Sequence, residues 1–158
     1  MAAINADPEV MRWIGSGMTR SVEQTTAAIK LWEREWEESG FGLFAVEMRD
    51  TGELAGFVGL SIPDFLPEVM PAVEIGWRLS RAFWGRGIAT EAAHRALGFG
   101  FTQCGLDRVI SICQTGNDAS ERIMRKLGME LERETVDPTC RRPVRVYAID
   151  SWDYASGS

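Results

Sequence analysis

Two glycines stand where a strand pattern gives way to a helix pattern, within the run WGRGIATE at residues 84–91. Glycine lets the backbone approach a ligand closely, and the first N–H groups of a helix lack an acceptor within the helix. The turn therefore favours an anion above the helix, and a pyrophosphate would fit there. Arg81 and Arg86 would add charge-assisted hydrogen bonds, and Thr90 carries a hydroxyl donor. The predicted chemistry is the binding of a phosphate-bearing cofactor.

Glycine-rich turns of this kind serve several classes of site. A P-loop is excluded, because it requires Gly-Lys followed by Ser or Thr. The dinucleotide fingerprint G-x-G-x-x-G is met only by Gly85 and Gly87, since Thr90 stands at the third glycine position. A tight turn that binds no ligand is the remaining alternative.

Three motifs, in order along the chain, resemble the GNAT superfamily of acyl-CoA-dependent N-acetyltransferases, and most closely its RimJ/RimL-like branch. They are VEIGWRL at 73–79, WGRGIATE at 84–91, and a stretch from NDAS at 117–120 to KLGM at 126–129. The similarity runs from NADPE at 5–9 almost to the end of the chain. Most family members have Gln or Arg where this chain has Trp84, and an aromatic residue there is a mark of the branch.

The resemblance implies direct transfer of an acetyl group from acetyl-CoA, as co-substrate, to a primary amine. The acceptor is either a protein N-terminal α-amine or a small molecule, and no metal takes part. The cofactor is expected where the third and fourth strands separate, with Ser120 close to its sulfur as proton donor to the thiolate. The residues implied to bind the cofactor are Leu79, Trp84, Gly85, Arg86, Gly87, Ile88, Ala89, Thr90 and Asn117.

The general base implied by the resemblance is Glu74, on the strand beside the cofactor. The alternative is a strand carboxylate that pairs with an arginine or faces solvent. If Glu74 is the base, the Glu74→Gln variant is expected to lose rate mainly at low pH. Asn117 and Ser120 also have a purely structural alternative, as N-cap and first-turn residue of a helix. A protein that binds acyl-CoA without catalysis, either a regulator or a pseudoenzyme, is the competing function.

Hydrophobic periodicity supplies the elements that position these residues. It predicts helices over 19–39, 88–104 and 117–127, and strands over 43–48, 54–60, 72–79, 107–113, 129–136 and 144–149. This order indicates an α+β (three-layer α/β) fold, with a mixed sheet covered by helices. The resemblance implies that the sheet is splayed. Only four residues precede Asn5, so it is expected to lack the family's usual first strand.

Composition narrows the function further. Lys and Arg number 17 against 23 Asp and Glu, a net charge of -6, which is the wrong sign for a nucleic-acid binder and suits an amine-bearing partner. The three cysteines and single histidine lack the spacing of a metal site or a disulfide framework. No stretch approaches the roughly 20 apolar residues of a membrane helix, and no signal peptide is recognisable. A cytoplasmic location is expected.

The organisation predicted from these patterns is one domain over residues 2–154 with a short tail at 155–158, and a homodimer is left open. Most of the six tryptophans are expected in the core. Three arginines near the end of the chain, Arg141, Arg142 and Arg145, are expected only to flank the last strand.

Overall fold

Six segments, each with at least two β-branched or aromatic residues, form one sheet. They are β1 (Leu43–Glu47), β2 (Leu54–Ser61), β3 (Glu74–Leu79), β4 (Arg108–Gln114), β5 (Glu130–Asp137) and β6 (Arg142–Asp150). The computed structural model describes residues 1–157 and orders the strands β1-β2-β3-β4-β6-β5. Neighbouring strands are antiparallel except β3 and β4, which are parallel. The predicted α+β class with a mixed sheet is confirmed.

Helices pack on both faces of this sheet. They are α1 (Ala2–Asn5), α2 (Pro8–Met11), α3 (Val22–Ser39), α4 (Ile88–Thr102), α5 (Asp118–Lys126) and α6 (Ser151–Gly157). On one face Leu97 of α4 joins the main core with Ile75 and Val58. On the other face the Trp32 ring of α3 lies 5.0 Å from that of Phe57. No helix within residues 1–157 is long and apolar enough to cross a membrane.

The three short helices were not predicted, because four to seven residues are too few for a helical periodicity to show. The second of them has local signals nonetheless. Asp7 accepts a hydrogen bond from the backbone N–H of Glu9 (3.0 Å), and Pro8 occupies the first helical position. At the other end of the chain, residues 155–157 of the predicted tail continue α6, and Ser158 lies outside the described residues.

The sheet opens between its two parallel strands. Their register contains a single pair, Glu74 opposite Ile110. At this point the backbone N–H of Ile110 donates to the carbonyl of Val73 (2.9 Å). One step further, the hydroxyl of Ser111 rather than a backbone N–H donates to the carbonyl of Ile75 (2.9 Å). Residues 76–79 are therefore free of β4, and the expected splay is present.

The sheet has β1 at one edge, and no strand precedes it within residues 1–157. Leu60 donates its N–H to the carbonyl of Gly42 (3.0 Å), so the backbone groups of the next residue, Leu43, point away from β2. The indole N–H of Trp36 donates to that outward carbonyl (2.9 Å). A Cβ atom at Gly42 would lie 2.3 Å from the indole, so glycine is required. This contact covers part of the exposed edge.

The expectation that most tryptophans belong to the core is wrong. None of the six is buried, and Trp84 and Trp152 are exposed. Trp13, Trp77 and Trp84 instead line a cavity. Tryptophan combines a large apolar surface with one N–H donor, so a position between core and solvent satisfies both parts of the side chain.

Candidate functional site

A cavity of about 520 Å³ opens where β3 and β4 separate. Its walls are the end of β3, the turn before α4, the first turns of α4 and α5, and the segment that follows α2. Of the residues predicted from sequence, Glu74 and Arg86 do not line it. The predicted residues that do line it are Leu79, Trp84, Gly85, Gly87, Ile88, Ala89, Thr90, Asn117 and Ser120.

The glycine turn forms one wall and leaves space for a ligand. Gly85 and Gly87 have left-handed backbones, with φ of 71° and 76°, which only glycine adopts without strain. A Cβ atom built on either one meets nothing within 4 Å. The first residue to form an α4 hydrogen bond is Glu91, whose N–H donates to the carbonyl of Gly87 (3.0 Å). The N–H groups at 88–90 thus have no acceptor in the helix, as an anion site requires. Gly85, Gly87 and these N–H groups together are called the anion cradle below.

The arginines predicted to reinforce this anion site are engaged elsewhere. Arg81 forms a forked ion pair with Asp7, at 2.9 Å from Nη2 to Oδ2 and 3.1 Å from Nε to Oδ2. This corrects the expectation that its guanidinium is free for a phosphate. The Arg86 guanidinium lies over the Phe83 ring, 5.7 Å from its centre. Lys126 and Arg122, both on α5, line the cavity, as do Arg12 and Arg78.

Ser120 faces the cradle across the cavity and is held by two donors. The indole N–H of Trp77 donates to its hydroxyl oxygen (3.3 Å), and so does the side-chain amide of Asn117 (3.2 Å). A serine oxygen accepts two hydrogen bonds, so both lone pairs are occupied and the hydroxyl proton is left to donate. Asn117 is also the N-cap of α5, since its Oδ1 accepts from the backbone N–H of Ser120 (3.4 Å). Asn117 is therefore an N-cap residue that also lines the cavity.

Glu74 lies where β3 and β4 begin to separate, in the residue pair that joins these two strands. Burial raises the pKa of this carboxyl to about 8, the backbone N–H of Ile112 lowers it in part, and the charge of Glu35 raises it further. No arginine or lysine forms an ion pair with it within residues 1–157. The alternative of an arginine-paired strand carboxylate is thus not observed. A carboxyl with this pKa can exchange a proton near neutral pH.

The wall that follows α2 is held by residues distant in sequence. Arg142 donates from Nη1 to the carbonyl of Arg12 (3.1 Å) and from Nη2 to that of Ser16 (2.6 Å). Gln114 donates from Nε2 to the carbonyl of Gly15 (2.7 Å). Sequence reasoning placed Arg142 beside the last strand but missed this role. No local signal could reveal it, because the partners are more than a hundred residues apart.

Arg145 also does more than flank the last strand. Its Nη1 donates to the buried carboxylate of Glu121 (2.8 Å), and its Nε lies 2.8 Å from Glu134. Tyr147 donates its hydroxyl to the same Glu121 carboxylate (2.8 Å). This network ties α5 to β6 and so fixes the helix that presents Ser120.

Arg142→Met is expected to destabilise the protein by about 1–2 kcal/mol, since two backbone carbonyls lose a charged donor. The melting temperature should fall by roughly 2–8 °C, measured by differential scanning calorimetry. Arg141→Met is the matched control, because Arg141 is the exposed neighbour. Equal melting temperatures for the two variants would contradict a role for Arg142 in holding the wall.

Comparison with known proteins bears on what this cavity does. Residues 1–130 match the sequence model of the acetyltransferase (GNAT) domain, which is more than half of the chain. The chain belongs to the GNAT acetyltransferase family. It is 30% identical over 127 residues to the uncharacterized N-acetyltransferase YoaA of Bacillus subtilis, covering 80% of this chain and 70% of that protein. The prediction of an N-acetyltransferase is confirmed at the level of this GNAT family.

Solved structures of GNAT proteins have the same fold. A GNAT-family acetyltransferase from Bacillus anthracis superposes with a TM-score of 0.76 at 25% identity, covering 96% of this chain and 87% of that one. Spermidine N-acetyltransferase from Vibrio cholerae, in complex with CoA and spermine, superposes with a TM-score of 0.75 at 18% identity. The match covers 98% of this chain and 89% of that one. At this identity the second match establishes the fold alone.

Proposed function

We propose that this GNAT protein transfers the acetyl group of acetyl-CoA directly to a primary amine, in one transferase domain spanning residues 2–154. The observation that carries the proposal is the shared cavity, in which the anion cradle of α4 and the hydroxyl of Ser120 face the same space. The RimJ/RimL-like branch is part of the proposal and rests on motif similarity, including the aromatic residue at Trp84. That branch would make a protein N-terminal α-amine one acceptor class, beside small-molecule amines.

The residues present fit acetyl-CoA. The N–H groups at 88–90 would hold its pyrophosphate, and Lys126 and Arg122 add positive charge to the cavity wall. Val73 and Ile75 direct their carbonyls toward β4, so Trp77 and Leu79 direct their backbone groups to the same, open side. The Leu79 carbonyl accepts from the Trp84 indole (2.9 Å), whereas the Trp77 carbonyl and the N–H groups of Trp77 and Leu79 would pair with the amides of the pantetheine arm. This open edge ends close to Ser120, which Trp77 contacts directly.

Amine acetylation then needs a group to stabilise the oxyanion, a proton donor for the thiolate and a proton acceptor for the amine. When the amine nitrogen bonds to the thioester carbon, negative charge develops on the carbonyl oxygen, and a free N–H of β3 would stabilise it. As the C–S bond breaks, the thiolate takes a proton, which the hydroxyl of Ser120 is oriented to donate. The nitrogen loses its own proton to a base or to water. A thiol pKa of about 8.5 makes the thiolate a good leaving group, so Ser120 need only be a weak acid.

Glu74 remains a prediction as the general base, and its raised pKa changes the expected pH dependence. A base acts only when ionised, so below pH 7 the carboxyl is mostly neutral and contributes little. We expect the kcat/KM of the protein to rise through pH about 8, and Glu74→Gln to lose rate mainly at and above that pH rather than at low pH. Rate profiles from pH 6 to 10 on an amine of high pKa measure this, with Glu35→Gln as the control for local charge. Superimposable profiles of Glu74→Gln and the protein would remove Glu74 from the mechanism.

The proposed function is tested by an acetyl-CoA-dependent thiol-release screen over protein N-terminal peptides, amino acids, polyamines and aminoglycosides. Calorimetric titration with acetyl-CoA accompanies the screen. Binding together with thiol release on at least one amine class is the expected result. Binding without release on any class would favour the regulator or pseudoenzyme, and no binding by folded protein would exclude both functions.

A further inference from the structure

Arg78, on the cavity wall, forms no ion pair with a carboxylate within residues 1–157. Arg78 lines the cavity and donates from Nη1 to the side-chain oxygen of Asn5 (2.9 Å). Its charged group lies over the Phe57 ring, 5.1 Å from the centre. Its Nε is buried and has no acceptor within residues 1–157. No carboxylate of the described chain lies within ion-pair distance of it.

This arrangement is costly unless an anion completes it. A partly buried guanidinium without an acidic partner is less stable than one in water, and Arg20 lies close enough to repel it. Burial and the charge of Arg20 together lower the pKa of Arg78 to about 10, and it remains a cation at neutral pH. The protein carries a net charge of -6, yet no carboxylate within residues 1–157 forms an ion pair with Arg78 or Arg20. Positive charge kept here in an acidic protein points to an anionic ligand.

The neighbouring residues hold Arg78 rather than neutralise it. Asn5 is completely buried, and its amide nitrogen donates to the hydroxyl of Thr25 on α3 (3.0 Å). This second bond directs the amide oxygen toward the guanidinium. The motif NADPE at 5–9 thus includes a residue whose task is to orient Arg78.

The Arg78 side chain lies on the opposite face of β3 from Trp77 and the Ser120 hydroxyl that Trp77 contacts. Successive side chains of a strand point to opposite faces, so Trp77, which contacts Ser120, and Arg78 face different ways. The side of Arg78 is bounded by α2 and the segment after it, from which Glu9, Arg12 and Trp13 line the cavity. A ligand entering from this side meets the guanidinium next to the point where β3 would hold the acetyl group.

We propose that Arg78 binds a carboxylate of the amine acceptor, which makes the acceptors amino-acid-like molecules with a carboxylate a few bonds from the amine. The inference rests on the proposed function and names its substrate class. A guanidinium binds a carboxylate through two parallel hydrogen bonds, which orients the ligand as well as attracting it. Polyamines, which carry only positive charge, would be repelled by Arg78 and Arg20.

Matched pairs of amines test this without altering the protein. Methionine, phenylalanine and threonine are each compared with their carboxamides, with spermidine as the cationic reference. We expect kcat/KM to be at least about tenfold higher for the acid of at least one pair. Calorimetric titration of the CoA-bound protein with the same pairs should show the same preference in Kd.

Variants connect the preference to the guanidinium. Arg78→Gln should lower kcat/KM for the acid at least about tenfold more than for the amide and so abolish the preference, and Arg78→Lys should retain part of it. Arg49→Gln carries the same charge change in an exposed turn and should leave the preference intact. If Arg78→Gln fails to fold, Arg78→Lys and the unaltered protein still decide the question.

The outcomes separate the two proposals. Acetylation of amides or spermidine at rates equal to or above those of the acids overturns the carboxylate subsite and leaves the proposed function standing. A preference in binding that Arg78→Gln removes, with no acetylation of any amine, supports the subsite and overturns the proposed function. If the protein shows no binding preference for the acids and acetylates no amine, both proposals are overturned.

Discussion

Ser120→Ala is expected to lower kcat about 100-fold, while the dissociation constant for acetyl-CoA changes by less than about threefold. The hydroxyl oxygen accepts from two donors, so its proton is free for the departing thiolate. Removing it leaves the anion cradle untouched. Steady-state kinetics and calorimetric titration with acetyl-CoA measure the two quantities separately.

Two further variants separate chemistry from structure at this position. Ser156→Ala removes an exposed serine hydroxyl on α6 and should leave kcat unchanged. Trp77→Phe removes one of the two donors to Ser120, so the hydroxyl is less well oriented, and kcat should fall by only a few-fold. If Ser120→Ala lost binding and turnover in equal measure, Ser120 would be a structural residue of α5 rather than a proton donor.

Gly87→Ala is expected to weaken acetyl-CoA binding at least about tenfold. The residue has a left-handed backbone, and an added Cβ meets no protein atom, so the methyl group would occupy space that the cavity leaves open for the pyrophosphate. The strained backbone should also cost about 1–2 kcal/mol of stability. Calorimetric titration and thermal unfolding measure the two effects.

Gly105→Ala is the matched control for this prediction. Gly105 also has a positive φ, 64°, with nothing within 4 Å of a built Cβ, but it lies beyond the end of α4 and outside the cavity wall. Both variants should lower the melting temperature by similar amounts, roughly 2–8 °C, because they share the same backbone strain. Only Gly87→Ala should lose affinity. Equal affinities in the two variants would exclude the glycine turn as the pyrophosphate cradle.

Local patterns predicted the elements that carry the site. Amphipathic spacing with a glycine stop is a property of neighbouring residues, so the cores of α3, α4 and α5 followed from sequence, as did the strands around them. The Gly85 and Gly87 turn was predicted for the same reason, since a positive φ and an open helix end are local requirements. Asn117 likewise caps α5 as its type and position indicated.

The surroundings of Glu74 and Arg81 in the folded protein determine the properties that the sequence did not predict. The pKa of Glu74 depends on its burial at the strand junction and on the nearby Glu35, neither of which a strand pattern records. The partner of Arg81 is Asp7, which is 74 residues away along the chain. Burial, charge and ion pairing all depend on which distant segments meet.

The sequence by itself determined the family, the order of helices and strands, and the glycine turn. Each of these depends on short motifs or on the spacing of residues a few positions apart. Only the tertiary structure decided that Ser120 receives two donors, that Arg142 holds the wall after α2, and that no carboxylate within residues 1–157 pairs with Arg78. These are contacts across the sheet, fixed by where β3 parts from β4. Such contacts exist only once the chain has folded, since their free energy comes from groups brought together by burial of the core.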